Sequence, residues 1–355
     1  MSLRLAGLVI TLFAMISIAC GGARPPSAQG DNGEQKDGAG VAKKTYEELY
    51  GALFSENNKE AGQAANELQT RLEEFKPKLL ETARKMDPEY SPKAIEMLAR
   101  FGVEEAREIA LQALDSAIPA LEIAGIKAES WLKDENAFGK IMEFSRYDDV
   151  DTRGNCANVL GHFPATEESK KRLRELAVDD SIRVRMPAYS ALGMIADTGA
   201  ARVLYDALFR EAKLKAEGDP LANTAAGFAA AALQVCAGPD DCKWLVKGIG
   251  PENPIEVRFT LFEAVAKQHC SDAVDSLIAV TRDPKEDDMT RARAGFFLAY
   301  VGDPRGYQAA SDIYLAIQNG WLEYDETKFQ SYDTLMAQYG GLLDAIAPKP
   351  EAKAK

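Results

Sequence analysis

The chain has 355 residues, 46% of them hydrophobic and 27% charged, with 55 acidic against 42 basic side chains and a formal charge of −13. So acidic a surface repels nucleic acid and anionic lipid, which argues against a phosphate-backbone partner and leaves a neutral or basic protein partner open. The length would allow two ordinary domains, but internal repetition argues instead for one elongated array.

In chain order, Arg4 gives a thin positive start and Leu5 to Ile16 is an apolar run of signal-sequence length. It is short of the about 20 apolar residues that a membrane-spanning helix needs, so residues 1–19 are expected to be a signal peptide. Ser17-Ile18-Ala19 before Cys20 fits ordinary secretory cleavage, giving a soluble periplasmic or secreted product. The same stretch resembles a bacterial lipobox, with Ser17 where a branched aliphatic residue is usual. That resemblance implies diacylation of Cys20, with acyl chains such as palmitate. Gly21 in place of Asp implies the outer rather than the inner membrane. Residues 20–44 are rich in Gly, Pro, Ala, Gln and charge, and read as a flexible tether spanning roughly 25–30 Å.

Order is expected from Thr45. Tyr46, Leu49, Tyr50, Leu53 and Phe54 follow the spacing of an amphipathic helix, and Ala61, Ala64, Ala65, Leu68, Leu72 and Phe75 that of a second. Pro77, Pro88 and Pro92 are expected to punctuate helix boundaries. Beyond them, one helical pattern recurs as Ile118–Ile126, Arg153–Gly161, Arg185–Gly193, Ala226–Gln234, Arg258–Ala266 and Arg291–Ala299, with a shorter match at Ser91–Ala99. The steps of about 32 to 41 residues are those of stacked helix pairs, which bury their apolar faces only against one another. Sustained period-two alternation is missing, so no strands are expected. Asp148-Asp149, Asp179-Asp180, Asp240-Asp241 and Asp287-Asp288 precede helical runs, where carboxylates cap free backbone N–H groups. Residues 210–223 hold the extra length of the longest step, and read as an extended helix followed by the polar turn Gly218-Asp219-Pro220.

At Asp180, Arg185, Ala188, Leu192 and Gly193 the pattern resembles the HEAT-repeat family in its short bacterial form. Val257, Arg258, Leu261, Ala264 and Val265 resemble it again, as do Arg291, Ala294, Leu298 and Gly302-Asp303-Pro304. The resemblance implies an all-α, right-handed α-α solenoid of roughly seven to eight stacked helix pairs over residues 45–345, followed by a disordered tail at 346–355. It also implies a ladder of Asp and Arg side chains, here Asp148 or Asp149 with Arg153, Asp180 with Arg185, and Asp287 or Asp288 with Arg291.

Little in the chain suggests catalysis. His162 and His269 lie several repeats apart in turns between helices, far from the convergent groups that acid–base or metal chemistry needs. Hydrolase elbows, phosphate loops and zinc-protease motifs are missing, so no catalytic, cofactor or metal residue is assigned. Cys156 fills a slot that Ala188 fills in the next repeat and reads as core. Cys236 and Cys242 bracket one turn and are the expected disulfide in an oxidising compartment, with Cys270 as the competing partner.

The end of the array is rich in aromatic residues: Tyr307, Tyr314, Trp321, Tyr324, Phe329, Tyr332 and Tyr339. Large rings suit closure of an open core, and exposed ones suit an interface; Trp321, Tyr324 and Tyr332 are the candidate partner-binding residues. The sequence thus reads as a non-catalytic protein–protein interaction scaffold of the bacterial envelope, anchored through an N-terminal lipid and facing the periplasm. Leu204–Lys215 is a second candidate contact region. Two other readings stay open: an all-α toroid-like enzyme acting on polysaccharide, and a passive spacer. Oligomeric state and the identity of the partner are not legible.

Overall fold

A computed structural model describes residues 43–348. The expected signal peptide, the acylated Cys20, most of the tether and the tail from residue 349 lie outside the described residues. The chain divides into two units, residues 1–45 and 46–355, of which the second holds every helix described.

The described residues form helices and no strand. The first part comprises α1 (Tyr46–Ala52), α2 (Asn58–Thr70), α3 (Leu72–Arg84), α4 (Ser91–Arg100), α5 (Ala106–Leu114) and α6 (Pro119–Leu132). Next come α7 (Phe138–Phe144), α8 (Val150–Leu160), α9 (Glu167–Leu176), α10 (Ile182–Met194), α11 (Ala201–Ala216) and α12 (Ala222–Cys236). The last are α13 (Cys242–Leu245), α14 (Ile255–Lys267), α15 (Val274–Arg282), α16 (Asp288–Val301), α17 (Tyr307–Gln318) and α18 (Tyr332–Ile346). From α3 onward each odd-numbered helix packs on the even-numbered one that follows, and each even-numbered helix packs on the next even-numbered one. The result is an all-α solenoid of stacked helix pairs.

The even-numbered helices approach closely because small residues face each other. A Cβ added at Gly161 of the α8 turn would lie 2.8 Å from Ala191 Cβ on α10, and one at Gly193 would lie 3.1 Å from Ala232 on α12. The buried apolar residues form two clusters. One runs from Tyr46 to Leu132, the other from Leu114 to Ile346. α6 joins them, giving Leu121, Ala124, Ala128 and Leu132 to the first and Ile126 to the second.

Several local expectations are corrected. The single second helix is two, because Arg71 leaves helical geometry (φ −110°, ψ 28°) between α2 and α3. Pro77 lies inside α3 instead of at a boundary. Its missing N–H frees the carbonyl of Glu73, and both residues are exposed, so the lost bond does not leave a buried carbonyl unpaired. α18 runs through the buried Ile346, the residue expected to begin the tail. The extended helix of the long step is α11, which ends at Ala216 before a turn with Gly218 at φ +91°.

Acidic doublets cap two helices directly: Asp149 accepts from Thr152 N–H at 2.7 Å and Asp287 from Thr290 N–H at 3.0 Å. At α10 the cap is Ser181 instead, and Asp179 accepts the Ser181 N–H at 2.9 Å. Asp241 accepts from Gly238 N–H at 2.9 Å and so tightens the turn before α13.

Candidate functional site

The recurring arginines do form a ladder; Arg291 pairs with the expected Asp288 at 3.5 Å, while the carboxylates that hold Arg153 and Arg185 are not the acids expected. Arg153 on α8 binds the Asp179 carboxylate through Nε at 2.9 Å and Nη2 at 3.1 Å, while its Nη1 donates to the carbonyls of Tyr147 and Asp148. Arg185 on α10 binds Glu211 of α11 at 2.8 and 3.0 Å, with Nη1 on the carbonyls of Asp179 and Asp180. Arg258 on α14 donates Nε to Ile249 O at 2.9 Å and grips Glu286 with both terminal nitrogens. The preceding doublet thus supplies backbone carbonyls or a cap, and the carboxylate comes from the next helix pair. One guanidinium therefore ties its own turn to its neighbour, by charge-assisted bidentate bonds. The arginine-to-acid offset is 26, 26 and 28 residues. That near-constant offset is the sequence signal by which Asp179, Glu211 and Glu286 were open to recognition.

Burial acts to raise the Glu211 carboxyl, but the hydrogen bonds from Arg185 and Tyr189 outweigh it and hold the group below the usual carboxylate range. Arg210 completes the cluster by donating to Tyr189 Oη at 2.8 Å and Ala177 O at 2.9 Å. Leu204, Tyr205, Ala207, Leu208 and Glu211 are buried, so the Leu204–Lys215 segment mostly serves the core and the ladder. Its exposed end is tied by Lys215 to Glu256 at 2.9 Å.

A buried acid outside the ladder escaped the sequence reading. Glu129 on α6 is fully buried; Oε2 accepts the Asp134 N–H at 2.8 Å, and Oε1 has no partner. Burial pushes its carboxyl up to about 7, against the lowering effect of the Asp134 N–H bond.

The expected Cys236–Cys242 disulfide is not formed; Cys242 pairs with Cys270, with Cα atoms 5.5 Å apart. Cys236 ends α12 facing the core, where its Sγ donates to Leu192 O at 3.4 Å. Cys242 opens α13 on the far side of the Pro239–Asp241 turn, and Cys270 sits at the turn after α14. The bridge therefore joins two successive inter-helix turns. Cys156 is a buried free thiol on α8. His162 is half-buried, and burial, aided by Lys133, lowers its pKa. His269 holds the left-handed turn (φ +51°) with Nδ1 3.1 Å from Val301 O. The two histidines are not brought together, and no group of three His, Cys, Asp or Glu suited to a metal occurs among the described residues.

The terminal aromatics divide into two roles. Tyr339 is fully buried, donates to Ala310 O at 2.7 Å, and meets Phe296 and Tyr314 edge-on. Phe329 packs on Phe296 and Phe297, and the Arg293 guanidinium lies over the rings of Phe259 and Phe329. Trp321 is instead 77% exposed and Tyr332 38% exposed. Tyr324 is half-buried, 6.4 Å from the Tyr332 ring, and donates to Gln330 O at 2.8 Å. The segment is pinned: Trp321 N–H bonds Ala316 O at 2.8 Å and Glu323 N–H bonds the Asp288 carboxylate at 2.9 Å. Tyr324 and Tyr332 are thus brought together, and Trp321 is held three residues before Tyr324 on an anchored turn.

Two surface cavities lie beside α15. One, of about 330 Å³, is lined by residues of the 246–251 turn, α15 and Glu286. The other, of about 300 Å³, is lined by residues of α15 and α17 and by Arg291.

The chain is similar to known proteins in the following respects. The family model for HEAT repeats matches residues 140–213. An engineered protein of known structure is 16% identical, over 84% of this chain and 88% of its own, with a TM-score of 0.45. Human deoxyhypusine hydroxylase, solved in complex with glycerol, is 16% identical over 79% of this chain and 98% of its own, with a TM-score of 0.29. No curated protein matches. The matched span covers α8, α9 and α10 with the Arg153 and Arg185 rungs, and over those residues the chain carries the pattern of HEAT repeats.

Proposed function

We infer that the protein is a non-catalytic interaction scaffold, held at the outer membrane of a bacterial envelope by acylated Cys20 and facing the periplasm. It docks a partner protein on the aromatic end formed by Trp321, Tyr324 and Tyr332. HEAT repeats generally mediate protein–protein interaction. The observation that carries the reading is the exposure of Trp321, 77%, on a turn pinned by its own N–H on Ala316 O and by the Glu323 N–H on the Asp288 carboxylate. A large ring presented on an already ordered segment loses little entropy on binding, as interface anchors require. The anchor and compartment rest on the sequence of residues 1–22 alone.

Crosslinking in cells followed by affinity purification from detergent-solubilised envelopes tests this. The wild type should fractionate with membranes and retain a stoichiometric partner. Cys20→Ala should release it from the membrane fraction, and Trp321→Ala/Tyr324→Ala should lose the partner without unfolding. A partner held equally by the double variant contradicts the aromatic docking site; membrane recovery unaffected by Cys20→Ala contradicts the anchor. A chain that captures nothing would be a spacer.

A further inference from the structure

The arginine ladder has one open rung. Arg185 and Arg258 have side chains only 4% exposed, each covered by a carboxylate from the next helix pair. Arg291 on α16 stands at the same place in its repeat, yet its side chain is 30% exposed. At the ladder's offset of 26 to 28 residues stand Ile317, Gln318 and Asn319, none of which is acidic. Arg291 is otherwise set like Arg258. Its Nε donates to Thr281 O at 3.1 Å, as Arg258 Nε donates to Ile249 O. In Arg258 the two terminal nitrogens then hold Glu286 in a fork. In Arg291 that edge has only Asp288, at 3.5 Å, whose other oxygen accepts the Glu323 N–H.

Arg291 lines the 300 Å³ cavity. Arg282 lines it too, is exposed, and has no ion pair among the described residues. Ala309, Ile313 and Ala316 of α17 form an apolar wall, and Asp312 is the one acid on the lining, accepting from Gln308 at 2.8 Å. Ala316 O also receives the Trp321 N–H, so the exposed indole is carried on the segment that borders this cavity. A lone small anion gains little here, because Asp288 and Asp312 offset the two arginines. A carboxylate on a short aliphatic stem gains both a bidentate fork and a wall for the stem.

We propose that the cavity between α15 and α17 is a receptor for a glutamate or aspartate side chain of a partner polypeptide, which completes the ladder on Arg291 with Arg282 as the second cation. This rests on the interaction reading above and names the partner's chemistry: an acidic side chain flanked by residues that pack on Trp321.

A random heptapeptide library, displayed with its C-terminus fused to the carrier so that only side chains bring carboxylates, is selected on the immobilised full chain. Enriched peptides, resynthesised with amidated C-termini, are measured by fluorescence anisotropy. The expected result is enrichment of Glu or Asp, with affinity falling at least tenfold when that acid becomes Gln or when Arg291→Met is introduced. Arg282→Gln, at an exposed position that leaves the fold intact, should weaken binding severalfold. Acid-free selections, no selection, or affinities indifferent to both arginine substitutions overturn the proposal. Peptides indifferent to the arginines but lost in Trp321→Ala leave the aromatic interaction reading standing while overturning this one. Peptides that need Arg291 but not Trp321 or Tyr324 uphold the cavity and contradict the aromatic site.

Discussion

Glu129 shows how one side chain departs from the repeat that surrounds it. In neighbouring turns the N–H after the helix bonds a backbone carbonyl: Val103 to Leu98, Asp197 to Leu192 and Cys270 to Val265. At the corresponding place in α6, Asp134 N–H bonds the Glu129 side chain, so a carboxyl occupies a slot that is otherwise Leu or Val. Burial raises that carboxyl from its ordinary value of 4.5 to about 7. A raised acid favours the protonated fold: as pH climbs from about 4.5 to 7 the unfolded chain releases this proton first, and the stability present below that window is lost. Relative to Glu129→Gln, the wild type should therefore lose about 2–3 kcal/mol between pH 5 and pH 8, read from denaturant midpoints. A pH-independent difference between the two proteins would show that Glu129 titrates normally. No local pattern announces this residue, because a lone Glu in a helix ordinarily faces water; its burial follows from where α6 sits between two core clusters.

At the scale of elements, the turns decide what the repeats cannot. The helices themselves were legible because their apolar residues recur at helical spacing and their steps match stacked pairs, as in Arg185–Gly193 and Arg258–Ala266. The rungs were only half legible. Arginine positions stand out, while the acids sit in the next helix pair, where Glu211 or Glu286 is one of many charged residues until the geometry selects it. The disulfide was misassigned for a related reason: six residues of separation make Cys236 and Cys242 neighbours in sequence, yet a helix end and a turn aim them apart. Bridging Cys242 to Cys270 closes a loop with a separation of 28 residues. Chain-entropy reasoning gives such a loop about 3–4 kcal/mol, so Cys242→Ser/Cys270→Ser should lower stability by that amount. Non-reducing peptide maps should show the Cys242–Cys270 pair. Unchanged stability in the double variant, or a map linking Cys236 to Cys242, would contradict this assignment.

Across the described residues as a whole, the even-numbered helices form one continuous packed row, and the Arg153, Arg185 and Arg258 rungs each tie a helix pair to the next. Cohesion is thus built from nearest-neighbour links, as in other repeat arrays. Such a row needs closing where it ends, and Tyr339 and Phe329 do this, while Trp321 and Tyr332 remain exposed. The aromatic richness of this end was legible in the sequence, but its division between core and surface was not, because rings at positions 314 to 339 follow no single helical face. The reading of the protein as a scaffold stands on this division. Its most direct test is hydrogen exchange on the captured complex against the free chain. The account predicts new protection over residues 316–335 and along α15 and α17 beside the Arg291 cavity, with the rest of the array unchanged. Protection confined to α2–α12, with none at the aromatic end, would contradict it.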